Sequence, residues 1–164
     1  MMMILKSILA ILCILFSISA KACDPGATKE LSEFWTAFRQ ASLGSDVKAI
    51  SQYYYFPLTI SGPYDSDKPI HLTRKKFIEE YDTFFRKGFY GESKTALLKD
   101  LESKPANYWK DEIAHAISPN PNRCSARVDD YELAWTRAAG WKISLVYFND
   151  QFSPLEEYMK RRSK

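Results

Sequence analysis

The chain has 164 residues, 23 of them basic and 20 acidic, with 15% aromatic and 46% hydrophobic residues. Length and apolar content suit one domain with a core of its own and exclude a disordered or fibrous chain, and no repeat or low-complexity stretch interrupts it. Nearly balanced charge leaves no broad basic field, which argues against a nucleic-acid partner.

The amino-terminal segment stands apart. Met1 to Lys6 carries one positive charge, Ile8 to Ile18 is apolar except for Ser17, and small residues lead to Ala20-Lys21-Ala22. A charged start, a short apolar run and an A-x-A site are the layout of a secretory signal peptide cleaved after Ala22. The run falls short of the ~20 apolar residues a spanning helix needs, which disfavours an uncleaved anchor. The expectation is therefore a signal peptide over 1–22 and a single periplasmic domain over 23–164. Losing Lys6 and Lys21 leaves that domain 21 basic and 20 acidic residues.

Of three cysteines, Cys13 leaves with the signal, and Cys23 and Cys124 remain. An even pair in an oxidising compartment predicts one disulfide closing nearly the whole domain. Cleavage after Ala22 also makes Cys23 the first mature residue, where a bacterial lipoprotein carries its acyl chains. Lys21 departs from the Leu-small-small-Cys pattern of that signal. The two fates exclude each other, because a lipidated Cys23 would anchor the protein to a membrane and leave Cys124 unpaired.

In the mature chain Asp24-Pro25 can open a helix. Leu31, Phe34, Trp35, Phe38 and Ala41 then recur at helical spacing, and Leu43-Gly44 ends the stretch. Ser45 can cap a second, short helix through Val47 and Ile50 toward Tyr54. Leu58 to Ser61 reads as a strand, the stretch from Gly62 to Asp67 as turns, and Pro69 to Leu72 as a returning strand. In that hairpin Leu58, Ile60, Ile70 and Leu72 share one face, with Thr59, Ser61 and His71 on the other. Thr73 caps a third helix carrying Phe77, Tyr81, Phe84 and Phe85, which Lys87-Gly88 closes, and Leu72 with Phe77 fits a hydrophobic staple.

A short helix is expected around Ala96 to Leu101, a break at Pro105, and strand or helix from Trp109 to Ile117. Pro119 to Asn122 reads as a loop. Tyr131, Leu133 and Trp135 alternate with polar or small neighbours, Ala138-Ala139-Gly140 makes a hairpin turn, and Trp141, Ile143, Leu145 and Tyr147 alternate in the return. The basic run Lys160-Arg161-Arg162 after Glu156-Glu157 suits a solvated helix end. Helices first and a meander last predict an α+β fold with helices packed on a curved antiparallel sheet.

Four features carry a resemblance: the helix around Phe34-Trp35, Phe56-Pro57-Leu58 leading into a hairpin, the Thr73 to Phe85 helix, and Gly140-Trp141-Lys142-Ile143 opening a late strand. Over most of residues 28–149 the chain resembles the nuclear-transport-factor-2-like superfamily, in its exported bacterial form. The resemblance implies a cone-like, cystatin-like topology, a pocket between the concave sheet face and the helices, and frequent homodimers through the open sheet face. It does not imply an enzyme, since one fold hosts many functions. The isomerase-type site of that superfamily pairs an acidic base with Tyr and carboxylic-acid donors. Here the first helix stripe offers no Tyr and Leu58 to Gly62 no Asp.

His71 is a candidate acid, base or polar anchor beside Thr59 and Ser61, and with Trp135 and Tyr147 these form the expected ligand-binding set. A solvent-facing histidine is the plainer reading. His115 has the same status. Asp129 is the candidate carboxylate, with a turn at Asp129-Asp130 as its structural alternative. Two histidines and a paired cysteine set give no metal-ligand spacing, so neither metal nor cofactor is expected. Tyr53-Tyr54-Tyr55-Phe56, with Tyr64, is a candidate recognition patch.

Three functions are compatible with these features. The first is a periplasmic domain that holds a small molecule or protein partner without chemistry. The second is a pocket enzyme of the cyclase, isomerase or hydrolase kind working through His71 or Asp129. The third is an immunity or inhibitor protein against a secreted toxin.

Overall fold

The computed structural model describes residues 23, 26–88, 94–118, 123–148 and 152–162; the expected signal peptide, the Asp24-Pro25 helix start and the loop over 119–122 lie outside them. Helix α1 spans Ala27–Leu43 and buries Leu31, Trp35 and Phe38, while Phe34 and Ala41 are only half-buried. Gly44 closes it, its N–H donating to Ala41 O. Helix α2, Val47–Ser51, is capped by Asp46 and not Ser45, the Asp46 carboxylate accepting the Ala49 N–H at 3.0 Å. That is the cap-to-third-residue geometry such a side chain needs. Tyr54, expected at the end of α2, instead opens strand β1, Tyr54–Ser61. The aromatic run and Pro57, which a helix interior excludes, favour extension.

Strand β2, Ile70–Leu72, pairs antiparallel with β1 in the register Leu58↔Leu72, Thr59↔His71 and Ile60↔Ile70. Thr73 caps helix α3, Arg74–Tyr81, by accepting the Lys76 N–H at 3.3 Å. The helical path then widens into a π-helical stretch over Asp82–Lys87, ended by Gly88 at φ 67°. A wider turn lets the consecutive rings of Phe84 and Phe85 both bury, Phe84 against Tyr158 at 5.5 Å and Phe85 against Phe148 at 5.2 Å.

Helix α4, Ala96–Ser103, follows the cap Thr95, and helix α5, Ala106–Ala116, follows Pro105, so the ambiguous Trp109 segment is helical. Strand β3, Ser125–Val128, was not expected; β4 spans Tyr131–Thr136, β5 Gly140–Tyr147, and helix α6 Phe152–Arg162.

The five strands form one open sheet in the order β2-β1-β5-β4-β3. Three pairs are antiparallel; β1 and β5 run parallel, so the sheet is mixed. A parallel neighbour requires a crossover connection, here everything from β2 to β4. The fold is α+β, with helices packed against the face that carries Leu58, Ile60, Leu72, Val128, Leu133 and Ile143, all fully buried.

One expected face is corrected in β5. Leu133 pairs with Ile143 but the preceding Glu132 pairs with Leu145, so Ser144 is an extra residue in β5. The bulge turns Val146 and Phe148 into the core and sends Leu145 and Tyr147, expected beside Trp141 and Ile143, to the opposite face.

Between the sheet and α1 the interior is filled with rings. Trp35 contacts Trp109 at 5.2 Å and Tyr131 at 5.5 Å, Phe38 contacts Tyr54 at 5.8 Å, and Tyr54 contacts Phe77 at 4.7 Å. Cys23 and Cys124 are joined, with Cα atoms 4.7 Å apart, which ties the chain just before α1 to the residue preceding β3.

Candidate functional site

A groove of about 580 Å³ opens where α1, the end of α2 and the β4–β5 turn meet. Glu30, Glu33, Phe34, Ala37 and Ala41 of α1 line one wall. They form a second stripe, turned by about 100° from the buried Leu31, Trp35 and Phe38, because successive helical residues diverge by that angle. Ala139, Gly140, Trp141 and Lys142 make the facing wall, and Ala49, Gln52 and Tyr53 complete the lining. Gly140 holds φ 62°, a turn conformation that favours glycine.

The walls are fixed by named bonds. Buried Trp141 donates its Nε1–H to Ala27 O at 2.9 Å, and Trp135 donates to Glu30 Oε2 at 2.8 Å. Phe34 and Tyr53 meet edge to face at 5.5 Å, and four alanines leave the surrounding space open. Glu33 lies 3.8 Å from Lys29 in an exposed pair. Lys142 donates from Nζ to the neutral Gln52 carbonyl at 2.6 Å. Burial and the nearby Arg74 guanidinium lower the Lys142 pKa from its ordinary value. Arg74 itself donates to Ser51 Oγ at 3.1 Å and lies 4.8 Å over the Phe56 ring. The lining contains no His, Ser, Thr, Cys or Asp; its ionisable groups are Glu30, Glu33, Tyr53 and Lys142.

The residues expected from sequence lie elsewhere, in two groups. Thr59 and His71 are cross-strand partners with Oγ1 and Nδ1 3.3 Å apart, on the sheet face opposite the helices. Ser61 and Tyr147 are register partners on that same face. The Tyr147 hydroxyl donates to Glu132 Oε1 at 2.8 Å, which raises its pKa, and Arg127 lies 4.4 Å over its ring. Trp135 lies apart from that set, outside the groove lining but bonded to Glu30 of its wall.

Asp129 sits at φ 53° in the β3–β4 turn, its carboxylate 2.8 Å from Lys104 Nζ. Lys104 also reaches Asp100 at 3.2 Å and Tyr108 at 3.3 Å. Burial opposes the Lys104 charge, but the bonds to Asp129, Tyr108 and Asp100 outweigh it and hold its pKa above the usual range. His71 lies in edge strand β2 and Asp129 in the turn that follows the opposite edge strand, β3, of a five-stranded sheet. At about 4.8 Å per strand they are some 15–20 Å apart and do not form one catalytic pair. His115 is exposed in the last turn of α5, with Nδ1 3.0 Å from Asp111 O.

The tyrosine patch divides. Tyr54 is core, Tyr53 lines the groove, Phe56 is half-buried under Arg74, and Tyr55 and Tyr64 are exposed, Tyr64 by 72%. Among the described residues no group of three or more His, Cys, Asp or Glu could hold a metal.

Sequence reasoning assigned Phe34 to the core stripe and passed over Glu30, Glu33, Gln52 and Lys142. A signal for Phe34 was present: adjacent Phe34 and Trp35 cannot both face one direction from a helix. Comparison with family models, with curated proteins and with solved structures finds no match to this chain.

Proposed function

We propose that the mature protein is an exported periplasmic binding domain that holds a small molecule or a partner's side chain in the groove between α1 and the β4–β5 turn. The observation that carries this reading is the groove's lining: aromatic and alanine surface with a few charged groups, Glu30, Glu33 and Lys142, among it. The interior between the sheet and α1, on the side where the resemblance implies a pocket, is filled with rings.

The Cys23–Cys124 disulfide supports an oxidising compartment, and it uses the sulfur that acylation would need. Among the described residues no helix is long and apolar enough to cross a membrane. The relation to the nuclear-transport-factor-2-like superfamily belongs to the same proposal, supported by helix, hairpin, helix and late strand following in the expected order.

Native mass spectrometry of the protein purified gently from the periplasm tests the reading, beside an Ala37→Trp variant that fills the groove. The expected result is a chain of residues 23–164 lighter by the two hydrogens of one disulfide, with a bound species that the variant lacks. A species retained equally by both forms, or a bare chain in both, overturns it.

A further inference from the structure

Two carboxylates and one ammonium line the groove. Glu30 accepts the Trp135 Nε1–H and Glu33 lies beside Lys29. Lys142 is half-buried, and among the described residues its polar partner is a neutral carbonyl, Gln52 O. Arg74 binds the adjacent residue, Ser51, through a neutral hydroxyl. Two cations thus converge on consecutive residues at the last turn of α2, and neither has a carboxylate within ion-pair distance among the described residues. The helix C-terminus favours cations there, yet two like charges in a partly desolvated place remain costly without an anion.

Resting on the binding reading, we propose that the groove selects an amphiphilic anion: a carboxylate, sulfonate or phosphate group at Lys142, with an apolar or aromatic body against Phe34, Tyr53 and the alanines. Three physical features meet in that assignment. The ammonium has donors beyond the one given to Gln52, since a lysine carries three. The edge-to-face pair of Phe34 and Tyr53 presents a ring surface for a flat apolar group. The Arg74 field, which after burial is the second cause lowering the Lys142 pKa, becomes favourable once an anion lies nearby.

Three probes with one body and different charge test this: naphthoate, naphthylmethanol and naphthylmethylammonium. Binding is read from nuclear magnetic resonance shifts of Ala37, Ala41, Ala139 and Gly140 in the full mature chain. The expected order is naphthoate tightest, about tenfold or more tighter than the alcohol, as a charge-assisted hydrogen bond provides, with the ammonium weakest. Lys142→Gln should bring naphthoate to the level of the alcohol while alcohol binding persists, and Lys142→Arg should keep the preference. Arg74→Gln should weaken naphthoate alone. Equal binding of all three probes, or an ammonium bound tightest, overturns the anion assignment but leaves the groove a binding site. If no probe shifts the groove residues, the assignment and the binding reading fall together.

Discussion

Removing the disulfide is the most demanding test of how α1 is held. Cys23 and Cys124 are 101 residues apart in sequence, so the bond closes a loop of about 100 residues. In the chain-entropy account such a closure destabilises the unfolded state by about 4.7 kcal/mol. Domains of this size are stable by about 5–15 kcal/mol in total, so the double substitution Cys23→Ala/Cys124→Ala removes a large share. Alanine is chosen because Cys124 is buried, and a serine hydroxyl there would add a desolvation cost of its own. In urea, with a slope of about 1–3 kcal/mol per molar, the midpoint should fall by about 2 M or more. Amide exchange over residues 27–34 should also accelerate, because the constraint on the start of α1 is gone while the Trp141–Ala27 and Trp135–Glu30 bonds remain. A midpoint shift below about 0.5 M at unchanged slope would refute the loop-closure account. It would mean that the pair does not constrain the unfolded chain as its separation requires.

Three further outcomes are expected. Burial raises the Tyr81 pKa to about 12 and pushes Tyr54 and Tyr131 well above the ordinary value. The unfolded chain therefore loses these protons first: stability is intact below pH ~10, falls as pH rises, and loses about 2–3 kcal/mol through Tyr81 alone by pH ~12. Tyrosinate absorbance followed together with circular dichroism checks this, and release of these protons without unfolding would contradict it. At Gly62 an added Cβ would lie 2.5 and 2.7 Å from ring atoms of Phe152 and would also meet the Asp67 carboxylate. Gly62→Ala should cost about 1–3 kcal/mol and make α6 more sensitive to protease; an unchanged melting temperature would show that Phe152 yields freely. Lys104→Met should destabilise by about 1–3 kcal/mol through the bonds to Asp129 and Asp100, and a double-mutant cycle with Asp129→Asn should show coupling between the two positions.

The fold was legible wherever a periodic stripe coincided with a capping residue. Thr73 and Phe77 fixed α3, and Gly140 fixed the β4–β5 turn, because each signal is local and has one geometric solution. Sequence failed where two solutions differ by one residue. Asp46 outcompeted Ser45 as a cap, and the extra residue at Ser144 reversed the faces of Leu145 and Tyr147. A bulge is set by pairing with a distant strand, which local alternation cannot register. Strand β3 is a four-residue edge strand whose pairing with β4 decides its existence. The candidate site was less legible than the fold. The set Thr59, Ser61, His71 and Tyr147 was chosen for polarity, and it does share a face, but the face opposite the helices.

The aromatic excess accounts for where the groove lies. Ten Phe, ten Tyr and four Trp could build either a wide core or a lined cavity. The contacts of Trp35, Phe38, Tyr54, Phe77 and Tyr131 show that they build core, which leaves ligand-sized space at the seam beside α1. A seam site functions only if its walls stay in place, and α1 is held at both ends. The disulfide and the Trp141 and Trp135 bonds fix its start, while Arg39 donates to Leu101 O and Lys104 O nearer its end. A wall fixed in advance loses little ordering entropy when a ligand arrives, so modest contacts can suffice for binding. The same bonds sort the charges: Glu30 is held on the neutral Trp135 indole N–H and Lys142 on the neutral Gln52 carbonyl, so among the described residues neither sits in an ion pair. Trp135→Phe would free the Glu30 carboxylate to compete for Lys142, and naphthoate should then bind more weakly although no residue predicted to touch its carboxylate has changed.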